Sequence, residues 1–303
     1  MDKFFKNISY EIKEDTNEEY HSKKEYISAS GLKMIKKSPL HFMEEERKTT
    51  EAMEFGSAYH TFILEPELFE NEYYIFDDSA IYSVLLGGGY KSPRSTKQYK
   101  EWAENNERLS NGRISIDQST YQMLGDMKNR LLRHRYVRSL ISNGDPEMSV
   151  YVDAEIFNGQ KIKIKIRPDY KKDDKRIISD LKTTSGASIY DFPRNAADFD
   201  YHIQASLYSD IMSEIEGKGL GWSFFFIAQE KAKPYAFNIF ESSPQFISQG
   251  RYEYEQLLML YAWCKENDTW PGYQVFTQNK YGICELSLPP YFIREISWFE
   301  HKY

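Results

Sequence analysis

The chain has 303 residues, 46 acidic and 39 basic side chains and a formal net charge of −7. A hydrophobic share of 41%, with 24 tyrosines and 19 phenylalanines, supplies ample core and excludes a wholly disordered chain. Two cysteines exclude a disulfide framework, a zinc ribbon and a four-cysteine iron–sulfur cluster, and no apolar run nears the roughly 18 residues of a membrane span.

A cytoplasmic protein is the expectation, because the opening MDKFFKNISYEIKEDT has no apolar secretory core. The first part of the chain reads as helical. Ser30 precedes an amphipathic stretch over 31–46, and further helices are predicted over 55–64, 97–106 and 121–141. Between them, 81–97 holds Gly87-Gly88-Gly89 and Pro93 and reads as a loop. Lys91-Ser92 follows Tyr90 there, not the glycine that a phosphate-cradling P-loop requires. After Asp145 the pattern turns to strands. Residues 149–157 and 161–167 alternate apolar and polar around Asn158-Gly159, a hairpin signal. A strand over 176–182 follows, then a helix over 201–216 closed by Gly217, strands over 221–229 and 235–240, and a helix over 244–264. This order predicts a mixed α/β core with helical N-terminal elaboration, in one domain over residues 1–303. Its parts are a helical region over about 26–145, a core over about 146–265 and an extension over 266–303. The extension's Trp298, Phe299 and Tyr303 suit packing on the core or an oligomer contact.

The acidic total argues weakly against nucleic acid as a partner, but local charge differs. Residues 161–182 hold nine Lys or Arg against four Asp, and 128–138 hold five with no acid. Such runs are solvated faces or a groove for a polyanion.

Arg167-Pro168-Asp169 and, ten residues on, Asp180-Leu181-Lys182 carry the most chemical information. Strand alternation puts Asp180 and Lys182 on one side and Leu181 in the core. A turn over 171–175 folds the Asp169 strand back beside the Asp180 strand, so two carboxylates converge. They repel unless one is protonated or a cation joins them, and a hard divalent ion, Mg2+ foremost, resolves the conflict. Lys182 then presents an ammonium to an attacking water or to developing phosphoryl charge. Asp-x-Lys on a strand is common, and the triplet alone reads first as a structural ion pair between Asp169 and Lys182. Three further features favour chemistry. Gln204 and Tyr208 are four apart and share a helix face. His60 follows the small residues Gly56, Ser57 and Ala58 and suits a third ligand. Lys161, Lys163, Lys165 and Arg167 share a strand face whose parity continues to Asp169, which predicts a row of cations along a phosphodiester unless Pro168 breaks the register.

Taken in order, Gly-x-x-x-His, Arg-Pro-Asp, Asp-Leu-Lys-Thr-Thr and Tyr-His-x-Gln-x-x-x-Tyr resemble the PD-(D/E)XK nuclease superfamily. Within it, the pattern is similar to the RecB/RecE-type branch of phage and prophage RecE-like proteins (exodeoxyribonuclease VIII). Residues 26–33 (YISASGLK), 38–42 (SPLHF), 55–65 (FGSAYHTFILE) and 97–101 (KQYKE) look like that family's signatures, and the likeness spans about residues 26–210. The resemblance implies a restriction-endonuclease-like core, a mixed central sheet flanked by helices. It implies a metal-dependent exonuclease that degrades linear double-stranded DNA 5′→3′ in phage-type recombination. His60, Asp169 and Asp180 match metal-binding positions, with the Leu181 backbone carbonyl as a further ligand. Lys182 matches the catalytic lysine, and Gln204 and Tyr208 match a motif that supports the site or contacts DNA. Asp180 stands where the family often has Glu. The implied cofactor is Mg2+, with Mn2+ as a substitute, and the iron–sulfur cluster of some RecB-type relatives drops out. Glu155, one strand earlier, is a further candidate for the acidic cluster. Lys161, Lys163, Lys165 and Arg167, with Arg130 and Arg133 on the predicted 121–141 helix, are expected to hold the DNA backbone. The implied partners are double-stranded DNA ends, a single-strand annealing protein and further copies of the chain, with no membrane. Two alternatives stay open: a structure-specific or restriction-type endonuclease on the same core, and a non-catalytic DNA-binding recombination scaffold.

Overall fold

Capping residues and breakers set where the helices begin and end. In the computed structural model, which describes residues 3–44, 49–217, 221–276 and 283–288, β1 (Phe5–Lys13) leads into α1 (Asn17–Ser22), α2 (Ala29–Lys37), α3 (Pro39–Glu44), α4 (Glu51–Leu64) and α5 (Pro66–Glu72). Then come β2 (Tyr73–Phe76), α6 (Ser79–Gly87), α7 (Lys97–Glu107), β3 (Ile114–Asp117), α8 (Gln118–Leu132) and α9 (Arg135–Leu140). The second half runs β4 (Asp145–Pro146), β5 (Ser149–Ile156), β6 (Lys161–Ile166), β7 (Tyr170–Lys172), β8 (Ile177–Thr184), α10 (Asp191–Asp198), α11 (Tyr201–Glu216), β9 (Ser223–Glu230), β10 (Phe237–Glu241) and α12 (Pro244–Asn267). Trp298, Phe299 and Tyr303 lie outside the described residues.

Ser28, Thr50 and Asp117 each cap a helix by accepting a backbone N–H, and Thr16 and Glu19 form a reciprocal capping box. Two expected helices are split. The 31–46 stretch breaks at Ser38, extended at φ −175°, because the ring of Pro39 disfavours a helical residue before it. The 121–141 stretch breaks at His134, whose ring nitrogen accepts from the Val137 N–H and starts α9 afresh. The 81–97 loop is helical at its start, since α6 runs to Gly87 before the glycines stop it. β1 was not expected from the sequence: it sits on a sheet edge with a bulge between Lys6 and Ser9, which blurs its alternation.

The Asn158-Gly159 turn forms as expected, with Gly159 at φ +87° and Glu155 opposite Lys161. With β1 this gives a sheet of order β1-β5-β6. A second sheet has the order β10-β9-β8-β7-β4. In it β7 and β8 form an antiparallel pair, while β8 and β9 are parallel and therefore need the crossover that α10 and α11 supply. Ile27, just ahead of α2, bridges to β6 through Ile27 N to Lys163 O at 2.9 Å and Lys165 N to Ile27 O at 2.8 Å. One apolar cluster joins Leu32 and Ile35 of α2, Ile203 and Leu207 of α11 and Leu258 of α12 to the sheets. A second joins Tyr59 of α4 and Leu124 and Met127 of α8 to Leu181, Phe225 and Ile227. Leu181 thus anchors β8 on one face, and the alternation turns Asp180 toward α11. Among the described residues no helix is long and apolar enough to cross a membrane.

The helices under this face are tightly tied. A Cβ on Gly250 of α12 would lie 2.0 Å from the His202 carbonyl oxygen of α11, so only glycine permits this approach. Lys36 of α2 reaches Asp200 at 2.6 Å and Glu253 of α12 at 2.7 Å. Burial opposes the charge on Glu253, but bonds from Lys36 and Gln249 and the His202 contact outweigh it and pull its carboxyl from 4.5 down to about 2. A depressed carboxyl stabilises the fold above its unfolded value and loses that contribution as pH falls through its folded value. Between pH 4.5 and 2, Glu253→Gln is therefore expected to show a shallower loss of stability than the unsubstituted protein, read by thermal melts. Parallel curves would remove Glu253 from the acid response.

Candidate active site

Asp169 follows β6 and is held in place by the neighbouring strand: the Leu181 N–H of β8 donates to its Oδ2 at 2.7 Å. This is the convergence expected from the turn between the two strands. Asp180, fully buried on β8, has Lys182 Nζ 2.6 Å from its Oδ1 and accepts from Gln204 Nε2 of α11 at 2.5 Å. Gln204 thereby fixes the carboxylate, and the Lys182 ammonium also lies 4.9 Å from the Tyr201 ring. Tyr208, one turn on from Gln204, is 7% exposed, and the Arg167 backbone hydrogen-bonds its hydroxyl. It braces the strand entering Asp169, so of the two expected roles, supporting the site or contacting DNA, its buried position fits the first, and a direct catalytic contact is corrected to a positioning role.

His60 arrives from α4 on the far side. Its Nε2 is 2.7 Å from the Leu181 carbonyl oxygen, the expected backbone ligand, and its Nδ1 is 3.4 Å from Asp169 Oδ2. The same Nδ1 is 3.8 Å from Oε1 of Glu147, a residue the sequence reading missed. Donor atoms of His60, Glu147 and Asp169 all lie within 4.8 Å of one another, whereas Asp180 is engaged by Lys182 and Gln204 just behind them. Glu147 sits between β4 and β5 at φ +47°, in the left-handed region that side chains with a Cβ rarely adopt. Its N–H donates to the Asp169 carbonyl at 3.1 Å, which puts the two acids side by side. Glu155, the further candidate for the acidic cluster, stands opposite Lys161 across the hairpin and accepts from Asn7, outside the His60–Glu147–Asp169 group.

The expected row of DNA-binding cations is only partly free. Lys165 is buried, its Nζ donating to the Tyr20 and Lys23 carbonyls at 2.6 and 2.9 Å. Arg167 lies 3.1 Å from Glu147 Oε2 and donates to the Glu147 and Asp15 carbonyls, each at 2.8 Å. Both are structural because α1 and its flanks cover that end of the strand, so their assignment to DNA is corrected. Lys161 is exposed, and Lys163 is half-exposed but 3.2 Å from Asp153. Arg130 and Arg133 face solvent at the end of α8.

Electrostatics follow from crowding three acids with few cations. Burial opposes charge on His60, yet Asp169 and Glu147 outweigh it and hold its pKa up at about 9. Burial, and then the Asp169 charge, push Asp180 up to about 6 against the pull of Lys182. Burial likewise raises Asp169. Burial works against Lys182, but Asp180 and Asp169 keep it charged. A protonated His60 thus does part of the balancing that a divalent cation does better. The oxygen-rich donor set with one imidazole, and the strained backbone that delivers Glu147, fit such an ion. The cavity beside it, of about 320 Å³, is lined by His60, Glu147, Asp169, Glu14, Asp15 and Glu65 among others.

The fold is that of the PD-(D/E)XK nuclease superfamily, and in it Asp180 and Lys182 on β8, Asp169 just before β7 and Gln204 on α11 stand together. The chain belongs to the family described as PDDEXK-like domain of unknown function (DUF3799), whose model matches residues 28–279. A solved structure from Eubacterium rectale, named "Putative exonuclease", shares the fold with a TM-score of 0.56 and 19% identity, over 84% of this chain and 88% of that one. The solved structure of SSO0001 has a TM-score of 0.29 and 16% identity, over 68% of this chain and 86% of that one. No curated protein matches the sequence at a significant level.

Proposed function

We propose that the chain is a Mg2+-dependent DNA exonuclease acting on the ends of linear duplexes, with 5′→3′ polarity, in phage-type recombination. The observation that carries this reading is the convergence of His60, Glu147 and Asp169 directly in front of the buried Asp180–Lys182 pair. His60, Glu147 and Asp169 would hold a divalent ion, which when bound would supply Lewis-acid chemistry to a phosphate and a water of lowered pKa. Lys182 supplies a fixed ammonium for the charge that develops on the phosphate oxygens. Asp180 keeps that ammonium in place, and Gln204 keeps Asp180 from rotating. Arg167 holds Glu147, and Tyr208 steadies the strand before Asp169.

Incubation with linear duplex DNA and with a covalently closed circle in Mg2+ tests this. Linear DNA is expected to disappear while the circle survives, and EDTA should stop the loss. Cleavage of the circle would move the reading to an endonuclease. Intact linear DNA with retained binding would move it to a scaffold.

A further inference from the structure

Lys33 of α2 belongs to none of the roles above. Its Nζ lies 5.1 Å from the centroid of the Tyr201 ring, and Lys182 Nζ lies 4.9 Å from the same centroid. Two ammonium groups therefore lie close to one aromatic ring beside the site. Lys33 is half-buried, and a lysine so placed is normally paired with a carboxylate. Lys36, on the same helix, has two such partners. Lys33 has neither a hydrogen bond nor an ion pair among the described residues, and the Lys182 ammonium near the same ring repels it. Burial, and then the Lys182 charge, pull its pKa down to about 8, although Asp200 and Asp180 face it as well. The free protein thus holds a cation where its charge is poorly compensated.

Two further observations say what relieves it. The cavity on the His60 side is walled by Glu14, Asp15 and Glu65, which repel a phosphate chain. The surface at Tyr201, outside that cavity's lining, carries Lys33 and Phe199, which is 59% exposed and stacks on Tyr201 at 5.8 Å and 24°. Exposed aromatic faces beside cations suit a nucleotide, with the base on the ring and the phosphate on the ammonium. We propose that Lys33 binds a substrate phosphate next to the one addressed by Lys182, with Phe199 as the platform for the adjoining base. This rests on the nuclease reading for the identity of the substrate as DNA.

The test is equilibrium binding of a labelled linear duplex in EDTA, where binding is read apart from cleavage, with 5′-phosphate or 5′-hydroxyl ends and across a salt series. Lys33→Ala is expected to weaken binding about tenfold and to lower the salt slope by about one phosphate contact. Lys33→Arg should recover most of the affinity. The alanine variant should melt at or above the temperature of the unsubstituted protein, because a like-charge contact is removed. A loss on both kinds of end assigns an internal backbone phosphate, and a loss on phosphorylated ends alone assigns the terminal one. Unchanged affinity and slope on both, or a lowered melting temperature that arginine does not restore, overturns the proposal. If the unsubstituted protein binds but cleaves nothing, the nuclease reading falls while the Lys33 result stands on binding. No binding at all overturns both.

Discussion

Lys182→Ala is expected to reduce cleavage of linear duplex DNA at least about 1,000-fold, measured in single turnover with saturating Mg2+. The size of the effect comes from two losses in one substitution. The first is the ammonium itself, fixed 2.6 Å from Asp180 Oδ1 and aimed past the carboxylates. The second is the charge state of Asp180. With Lys182 present its pKa is already about 6, raised by burial and by Asp169. Without Lys182 it rises further, because the pull of the ammonium is lost. Removing one member of a buried pair costs about 3–5 kcal/mol when the other stays charged. Asp180 escapes that cost wherever it is protonated, below its folded pKa. The melting temperature of the variant should therefore trail that of the unsubstituted protein more at pH 8 than at pH 5. A deficit of equal size at both values would show that Lys182 does not compensate Asp180. Cleavage within tenfold of the unsubstituted rate would remove Lys182 from the reaction.

Much of this site was legible because its parts are periodic. The two-residue alternation of β8 places Asp180 and Lys182 together and Leu181 opposite, and the four-residue spacing on α11 places Gln204 where it meets Asp180. The Asn158-Gly159 hairpin is equally local. Misreadings occur where tertiary contacts decide. Lys165 and Arg167 have the parity expected of an open cationic face, but α1 folds over them and supplies the Tyr20 and Lys23 carbonyls and Asp15 as partners. No periodicity in the strand reveals a helix arriving from far upstream. Glu155 is an acid before Asp169 and so a candidate for the cluster on sequence alone. The hairpin register instead carries it to the turn end, opposite Lys161. Glu147 reaches Asp169 only because β4 pairs with β7, Asp145 opposite Lys171, which is a two-residue contact with no pattern of its own. Its one local mark is an acidic residue directly after Pro146 at the point where the strand texture begins.

Replacing Glu147 separates site from scaffold, because the position carries a local backbone strain beside its carboxylate. At φ +47° a side chain with a Cβ costs about 1–2 kcal/mol that glycine avoids. Both Glu147→Ala and Glu147→Gly lose the carboxylate that stands 3.8 Å from His60 and 3.1 Å from Arg167. Both should therefore lose most of the Mg2+-induced rise in melting temperature and about 100-fold in cleavage rate, on the scale of a removed metal-site partner. They differ only in the backbone. Without metal, the glycine variant should be more stable than the alanine variant by about 1 kcal/mol in denaturant titration. Arg167 keeps its bonds to the Glu147 and Asp15 carbonyls in either case, so the lost ion pair cancels in the comparison. If both variants keep the Mg2+ shift, Glu147 is no ligand, and the metal is held by Asp169 with Asp180 after rearrangement of Lys182. Equal stability of the two would show that the left-handed conformation is relaxed in solution. A more stable glycine variant that has lost its metal response would show that the fold keeps a strained residue here for its carboxylate alone.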